Sequence, residues 1–255
     1  MKGTLEVLRL ATSGASKAVH FVSSLDIVDA RVADNVLLCD EPPLHVEPYT
    51  SSKWVADQLV AKADARGIPA CIYRTGYIGP HSGSGEANPS GWFELYLQAV
   101  LKIRSIPADA NAFCWTPVDL IVDSICSLSR DWASLHKAFH LLDHEVTVSP
   151  ATLVAAARRL GYALEVISGI AWRKRLAKYC AEHPDDPATV LGPYLDTLSP
   201  QVNENGSKRA PRKVTRAAAN CARNFDLDAV TSLARFLRTA MRSVGIPTSC
   251  RGLSA

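Results

Sequence analysis

The sequence predicts an α/β fold, a parallel sheet followed by a smaller, mainly helical carboxy-terminal part. Three observations point there. Ala18-Val19-His20-Phe21-Val22-Ser23-Ser24 and Pro69-Ala70-Cys71-Ile72-Tyr73-Arg74 are short apolar runs, continuous rather than alternating, as strands buried on both faces require. Between them a helical pattern runs from Pro48 to about Ala65, with Val55 and Leu59 at one spacing and Ala56, Val60 and Ala63 at another. After residue 145 the texture changes to helices.

Thr4 to Leu10 carries apolar residues at 5, 7, 8 and 10, which predicts a helix closed near Gly14. Val19 to Ser23 is the first strand. Its carboxyl end delivers Ser24 to a crevice, the place where open α/β sheets bind ligands. Residues 26–47 are mixed and contain Pro42 and Pro43, so they read as a loop over that site. Pro48 suits the first turn of the next helix and Gly67 its end. Ala70 to Arg74 is the second strand. Strand, helix and strand then form a β-α-β unit with a short return, which parallel pairing needs.

Tyr49 and Lys53 stand four residues apart in that helix and share a face. An ammonium beside a phenol favours its ionised form, so the pair suits proton donation to an oxygen that gains charge. A Tyr-x-x-x-Lys alone arises by chance on many surface helices. Its place between Ser24 and the glycine-broken Thr75-Gly76-Tyr77-Ile78-Gly79 sets it apart.

Gly79-Pro80-His81-Ser82-Gly83-Ser84-Gly85 is glycine-rich but is no phosphate cradle. Pro80 removes an N–H, and no helix starts promptly after it. It reads as a mobile loop, with His81 a loop histidine. Trp92 to Ile103 has helical periodicity. Pro117-Val118-Asp119, followed by Ile121, Val122, Ile125 and Leu128, reads as a helix with Asp119 near its positive end. Ala138 to Leu142 is a third strand. Ser149-Pro150 opens a capped helix through Leu153, Val154, Ala157 and Leu160, closed at Gly161. Trp172 to Cys180 is another, with Arg173, Lys174, Arg175 and Lys178 on a solvated face. Residues 199–216 read as a flexible basic loop. Asp226 to Val244 is the final helix, with Val230, Leu233, Leu237 and Met241 on one side.

Composition narrows the classes. At 47% hydrophobic and 21% charged the chain is ordinary for a globular protein, and a net charge of +3 makes no case for nucleic acid or membrane. No apolar run is long enough to span a bilayer, and the amino end lacks the apolar core of a signal peptide, so a cytoplasmic location is expected. The seven cysteines are scattered with no Cys-x-x-Cys pair, which predicts reduced thiols and no metal site. Cys71 and Cys126 read as core fillers.

A resemblance adds to this. It is carried by Gly3-Thr4-Leu5-Glu6-Val7-Leu8, Val22-Ser23-Ser24-Leu25, Tyr49 to Val55 and Tyr73-Arg74-Thr75-Gly76-Tyr77-Ile78-Gly79. It continues through Asn88, Pro117-Val118-Asp119, Phe139-His140-Leu141 and Gly161-Tyr162 to Trp172. On these residues the chain resembles the thioester reductase domains, a branch of the extended short-chain dehydrogenase/reductases. Those are the terminal reductases of nonribosomal peptide synthetases and of carboxylic acid and aminoadipate reductases.

The resemblance implies a partial Rossmann-like nucleotide-binding domain over residues 1–144 and a helical substrate or lid domain over 145–255. It implies that Ser24 hydrogen-bonds the substrate carbonyl oxygen, that Tyr49 gives the proton, and that Lys53 holds both Tyr49 and the nicotinamide ribose. Thr75, Gly76 and Ile78 fall in the nicotinamide loop, with Thr75 where the family usually has proline, a small loosening. NADPH is the implied cofactor. A carrier protein with a phosphopantetheine arm is the implied partner, to which the basic stretch 199–216 would be attracted if it is not merely solvated. The product is an aldehyde, or an alcohol after a second round.

Family members begin with a strand, a glycine-rich turn and a helix that grips the pyrophosphate. Before Ser24 only the isolated Gly3 and Gly14 are present, so on the resemblance the first half of the nucleotide fold is absent. Two expectations follow: an unpaired sheet edge at Val19–Ser23 prone to association, and poor dinucleotide affinity. A rival reading is therefore a non-catalytic remnant that binds a polypeptide completing its sheet. Another is a different extended reductase, such as a sugar epimerase or hydroxysteroid enzyme. The match from Phe139 to Trp172, and again from Asp226 to Pro247, speaks for the thioester branch.

Overall fold

The computed structural model describes residues 2–28, 37, 48–110, 112–142, 147–194 and 229–246. Helix α1 (Lys2–Thr12) leads to strand β1 (Val19–Ser24), and a 3-10 turn over Leu25–Ile27 follows at once. Next come α2 (Pro48–Asp64), β2 (Ala70–Thr75), β3 (Tyr77–Gly79), α3 (Trp92–Lys102), β4 (Ser105–Pro107) and β5 (Phe113–Pro117). The chain continues through α4 (Val118–Arg130), β6 (Lys137–Leu141), β7 (Thr147–Val148), α5 (Pro150–Arg159), β8 (Glu165–Ile167) and α6 (Gly169–Glu182). A 3-10 stretch at Pro187–Tyr194 and helix α7 (Ala229–Ser243) complete it.

The described residues fall into two compact units. One is drawn from 1–78 and 118–144, the other from 79–117, 145–206 and 226–255. The first holds the parallel sheet that the sequence predicts, in the order β1-β2-β6. Val19 to Ser24 register against Ala70 to Thr75, and Cys71 to Thr75 against Lys137 to Leu141. All six residues of β2 are buried. Successive side chains of a strand point to opposite faces, so its even positions serve one layer and its odd positions the other. Ala70 and Ile72 pack with Val19, with Ala11 of α1 and with Val60 and Ala61 of α2. Cys71 and Tyr73 pack with Ile121 and Leu128 of α4 and with Phe139. Helices therefore cover both faces of the sheet, an α/β arrangement of the Rossmann kind.

Local signals explain where the elements stop. Gly67 takes φ of 94°, which only glycine adopts without strain, and the chain turns there from α2 toward β2. The Asp64 carboxylate at the end of α2 accepts the Ala70 N–H at 2.8 Å and lies 2.8 Å from His136 Nδ1. Among the described residues β1 pairs only with β2, and Val22 of β1 is 43% exposed.

The second unit is built on an aromatic core. Phe93 of α3, Trp115 of β5 and Phe236 of α7 have ring centroids 5.6–5.9 Å apart. The Trp172 ring of α6 lies tilted against Tyr96 with centroids 5.5 Å apart and donates its indole N–H to the Ser105 carbonyl at 2.8 Å. Ser149 and Thr152 form a reciprocal capping box at the start of α5.

Several expectations need correction. β7 and β8 lie in the region expected to be mainly helical, with β8 parallel to β4 and β7 antiparallel to β5. The first two strands each run one residue further than expected, to Ser24 and to Thr75. Cys126 is exposed rather than in the core, because the buried stripe of α4 runs through Ile121, Ser124 and Leu128. Most of the loop expected over 26–47 and all of the basic stretch 199–216 lie outside the described residues. No described helix is long and apolar enough to cross a membrane.

Candidate functional site

The site is assembled at the carboxyl end of β1. Ser24 is that strand's last residue and is buried. Its hydroxyl caps the 3-10 turn that follows, accepting the Asp26 N–H at 3.2 Å. In return it donates to Asp26 Oδ2 at 3.3 Å. The neighbouring Ser23 points to the other face. Its hydroxyl is buried and has no hydrogen-bond partner among the described residues.

Helix α2 brings the phenol and the ammonium. Tyr49 lies in its first turn and is 57% exposed. Its carbonyl accepts the Ser52 hydroxyl at 2.8 Å. Among the described residues its phenol oxygen has no hydrogen-bond partner, so the proton is free for another acceptor. Lys53, one turn on, extends to β1. Its Nζ donates to the Val22 carbonyl at 3.4 Å and stands 5.9 Å from the centroid of the Phe21 ring. The ammonium is thus tethered within two residues of Ser24.

The end of β2 and the segment after it supply the remaining expected residues. Thr75 is buried, and its Oγ1 donates to the Ser23 carbonyl at 3.3 Å. The hydroxyl therefore ties β2 to β1 at the point where a small loosening was expected. Gly76 donates its N–H to the Leu141 carbonyl at 3.1 Å. A Cβ there would run into the end of the Leu142 side chain, which would have to move aside. Ile78 is 38% exposed.

Two groups beside the site escaped the sequence reading. Asp26 is one; a serine followed two residues later by aspartate is the signal that would have found it, since short polar side chains close local turns of this kind. The other is the ion pair of Asp57 and Arg74, both fully buried. Its signal is a charged residue inside the otherwise apolar run 70–74, and an acid one turn beyond Lys53.

Other candidates stand apart. A shallow hollow lined by Ala18, His20, Asp131 and Trp132 lies at the amino end of β1, the opposite end from Ser24. There His20 Nδ1 and the Tyr73 hydroxyl are 2.9 Å apart, and burial pushes the His20 imidazole below its ordinary pKa and the Tyr73 phenol above its own. His81 Nδ1 accepts the Gly83 and Ser84 N–H groups at 3.1 and 3.3 Å. That loop is closed by its own histidine and does not present its N–H groups to an anion.

The residues present fit the ribose and nicotinamide end of a reduced dinucleotide: an open phenol, an ammonium and a glycine-containing segment above the ends of parallel strands. A buried hydroxyl beside them can donate to an oxygen acquiring negative charge. Among the described residues no strand runs through a short glycine-rich turn straight into a helix, the usual pyrophosphate grip.

An NAD-binding family model described as "Male sterility protein" matches residues 1–125. The chain is 29% identical over 218 residues to the aldehyde reductase lnbA of Aspergillus flavus, covering 79% of this chain and 21% of that protein. It is 27% identical over 218 residues to the nonribosomal peptide synthetase asaC of the same organism, covering 80% of this chain and 21% of that one. Among solved structures, the terminal R domain from the myxalamid PKS-NRPS biosynthetic pathway is 27% identical with a TM-score of 0.76. That match covers 97% of this chain and 63% of the R domain. The chain spans about a fifth of the length of these curated relatives.

Proposed function

The chain belongs to the thioester reductase domain family, and from that premise we propose that it reduces a carrier-bound acyl thioester with NADPH and releases an aldehyde. One observation carries the reading: Lys53 is tethered to the strand end that holds Ser24, one helical turn from the open phenol of Tyr49. Residues 1–144 would hold the cofactor and 145–255 the acyl chain, in the cytoplasm.

Tyr49, Lys53 and the segment Thr75-Gly76-Ile78 would hold the nicotinamide end, and the bound cofactor supplies the hydride. The protein's part is orientation and the proton. The Ser24 hydroxyl swings from Asp26 to the thioester carbonyl oxygen, and this hydrogen bond strengthens as the oxygen becomes anionic. Tyr49 passes its proton to that oxygen, completing a hemithioacetal. Lys53 holds the ribose and, by its charge, stabilises the phenolate that Tyr49 leaves behind. The carbon–sulfur bond of the hemithioacetal then breaks and its hydroxyl proton goes to the carrier's pantetheine thiol as the aldehyde departs. A second hydride and proton would give the alcohol.

A nicotinamide cofactor is supported by the NAD-binding family model, and an acyl or peptidyl carrier as partner by relatives that are peptide synthetases; NADPH rather than NADH rests on the resemblance. The purified chain tests this with NADPH and an acyl-pantetheine thioester, following nicotinamide oxidation and trapping the aldehyde. Turnover in the wild type with none in a folded Tyr49→Phe variant is expected; full turnover by that variant would overturn the assignment.

That β1 pairs only with β2 among the described residues favours a second reading, a binding module whose sheet is completed by another polypeptide. Val22 is 43% exposed on that strand, and Leu5 and Leu10 of α1 are 41% and 63% exposed. A chain that binds no nicotinamide nucleotide in calorimetry, yet takes up a strand-forming polypeptide, would favour it over the reductase.

A further inference from the structure

We propose that Asp57 and Arg74, with the Leu37 carbonyl, form a clamp that fixes the rotation of α2 and so aims Tyr49 and Lys53 at the end of β1; this rests on the assignment of the site above. Tyr49, Lys53 and Asp57 recur at every fourth position, along one side of α2. The first two face the chemistry, and the third meets the sheet. Arg74 lies in the middle strand, on the face that Ala70 and Ile72 turn toward α2.

The contact has two points. Arg74 Nε donates to Asp57 Oδ2 at 3.2 Å, and Nη2 donates to Oδ1 at 2.9 Å. Paired parallel hydrogen bonds between a guanidinium and a carboxylate set direction as well as distance. Nη2 also donates to the Leu37 carbonyl at 2.8 Å. One side chain therefore joins the helix bearing Tyr49 and Lys53, the strand that runs into Thr75 and Gly76, and a residue between β1 and α2.

Stability alone does not call for these charges. Removing two ions from water costs about as much as their attraction returns, and a well-packed apolar pair of similar volume is often as stable or more so. The same helix and strand also pack through the apolar Val60, Ala61 and Ile72. An apolar contact, however, lets a helix roll. At a side-chain radius of roughly 6 Å, a roll of ~10° moves a group by ~1 Å, and a misplacement of that size costs about 10²-fold in rate. Asp57 and Arg74 are thus positioning residues that act through Tyr49 and Lys53.

The test uses the full chain and two variants, the double substitution Asp57→Leu/Arg74→Met and the single Arg74→Lys, which keeps the charge but loses the fork. Urea midpoints, amide hydrogen exchange over residues 48–56, and kcat and KM with an acyl-pantetheine thioester are measured on each. The double variant should stay folded, its midpoint lowered only by the Leu37 carbonyl left without its donor, while exchange over 48–56 quickens about tenfold. Its kcat should fall about 10²-fold with KM unchanged, and Arg74→Lys should fall between it and the wild type. A stable double variant with wild-type exchange would overturn the clamp. If the double variant does not fold, Arg74→Lys decides, and wild-type exchange there overturns the proposal equally. A wild-type chain that transfers no hydride would sink the reaction instead, and the clamp would still be judged by exchange, which needs neither cofactor nor substrate.

Discussion

Replacing Ser24 with alanine should separate two jobs of one hydroxyl. The first is local. Ser24 Oγ caps the turn over Leu25–Ile27 by accepting the Asp26 N–H at 3.2 Å, and losing a cap of this kind costs about 1 kcal/mol. A globular domain of ordinary stability, about 5–15 kcal/mol, stays folded after such a loss. The second job is chemical. Ser24 would donate to the carbonyl oxygen as it becomes anionic, and removing one such donor lowers kcat by about 10²–10³-fold, or ~2.7–4 kcal/mol of transition-state stabilisation. The two effects differ enough in size to be read independently, the first as a urea midpoint and the second as single-turnover oxidation of NADPH. Ser24→Thr restores a hydroxyl to the strand end and should recover much of the rate. If Ser24→Ala turns over as fast as the wild type, the hydroxyl does not touch the reacting oxygen and the assignment is wrong.

Two further outcomes concern the second unit. Gly85→Ala should destabilise it by about 2–5 kcal/mol in urea unfolding, since φ there is +74° and a Cβ would lie 2.7 Å from the Arg235 backbone carbonyl; an unchanged midpoint would show that the loop simply moves away. Lys102→Met should alter the acid sensitivity of the unit. Burial pushes the Asp186 carboxyl up, but hydrogen bonds from Lys102, the Ala188 N–H and Tyr179 together hold it below its ordinary pKa. A depressed carboxyl stabilises the fold above its unfolded value of about 3.9, and that contribution is lost as pH falls through the folded value. Wild type and variant should therefore differ in urea midpoint at neutral pH and converge in acid, and a constant difference would contradict the linkage.

How much of this was legible in the residues depended on range. The β-α-β unit from Val19 to Thr75 could be read because its strands are continuous apolar runs and its helix repeats over 17 residues. The cap at Ser149 and the stop at Gly161 were equally local. Strands β4 and β8 were not legible. Each has three residues, too few for a period, and the pairing of Ser105–Pro107 with Glu165–Ile167 joins segments far apart in the chain. Cys126 was misplaced because its neighbours Val122 and Ile125 made the whole stretch look apolar, while the phase of α4 turns the cysteine outward. At the site, Ser24, Tyr49 and Lys53 stood out by type and spacing. Their supports did not, because the partner of Arg74 is a helix residue 17 positions away, beyond any local pattern.

The most direct test of the central claim, that Ser24 and Tyr49 act on one oxygen, is a double-mutant cycle on the rate of hydride transfer. Ser24→Ala, Tyr49→Phe and the combined variant are compared with the wild type in single turnovers with NADPH and an acyl-pantetheine thioester. Groups that act as a unit are far from additive, so the combined variant should be scarcely slower than the worse single one. Rate losses that simply multiply would mean that the two hydroxyls work at separate places, and would contradict the account.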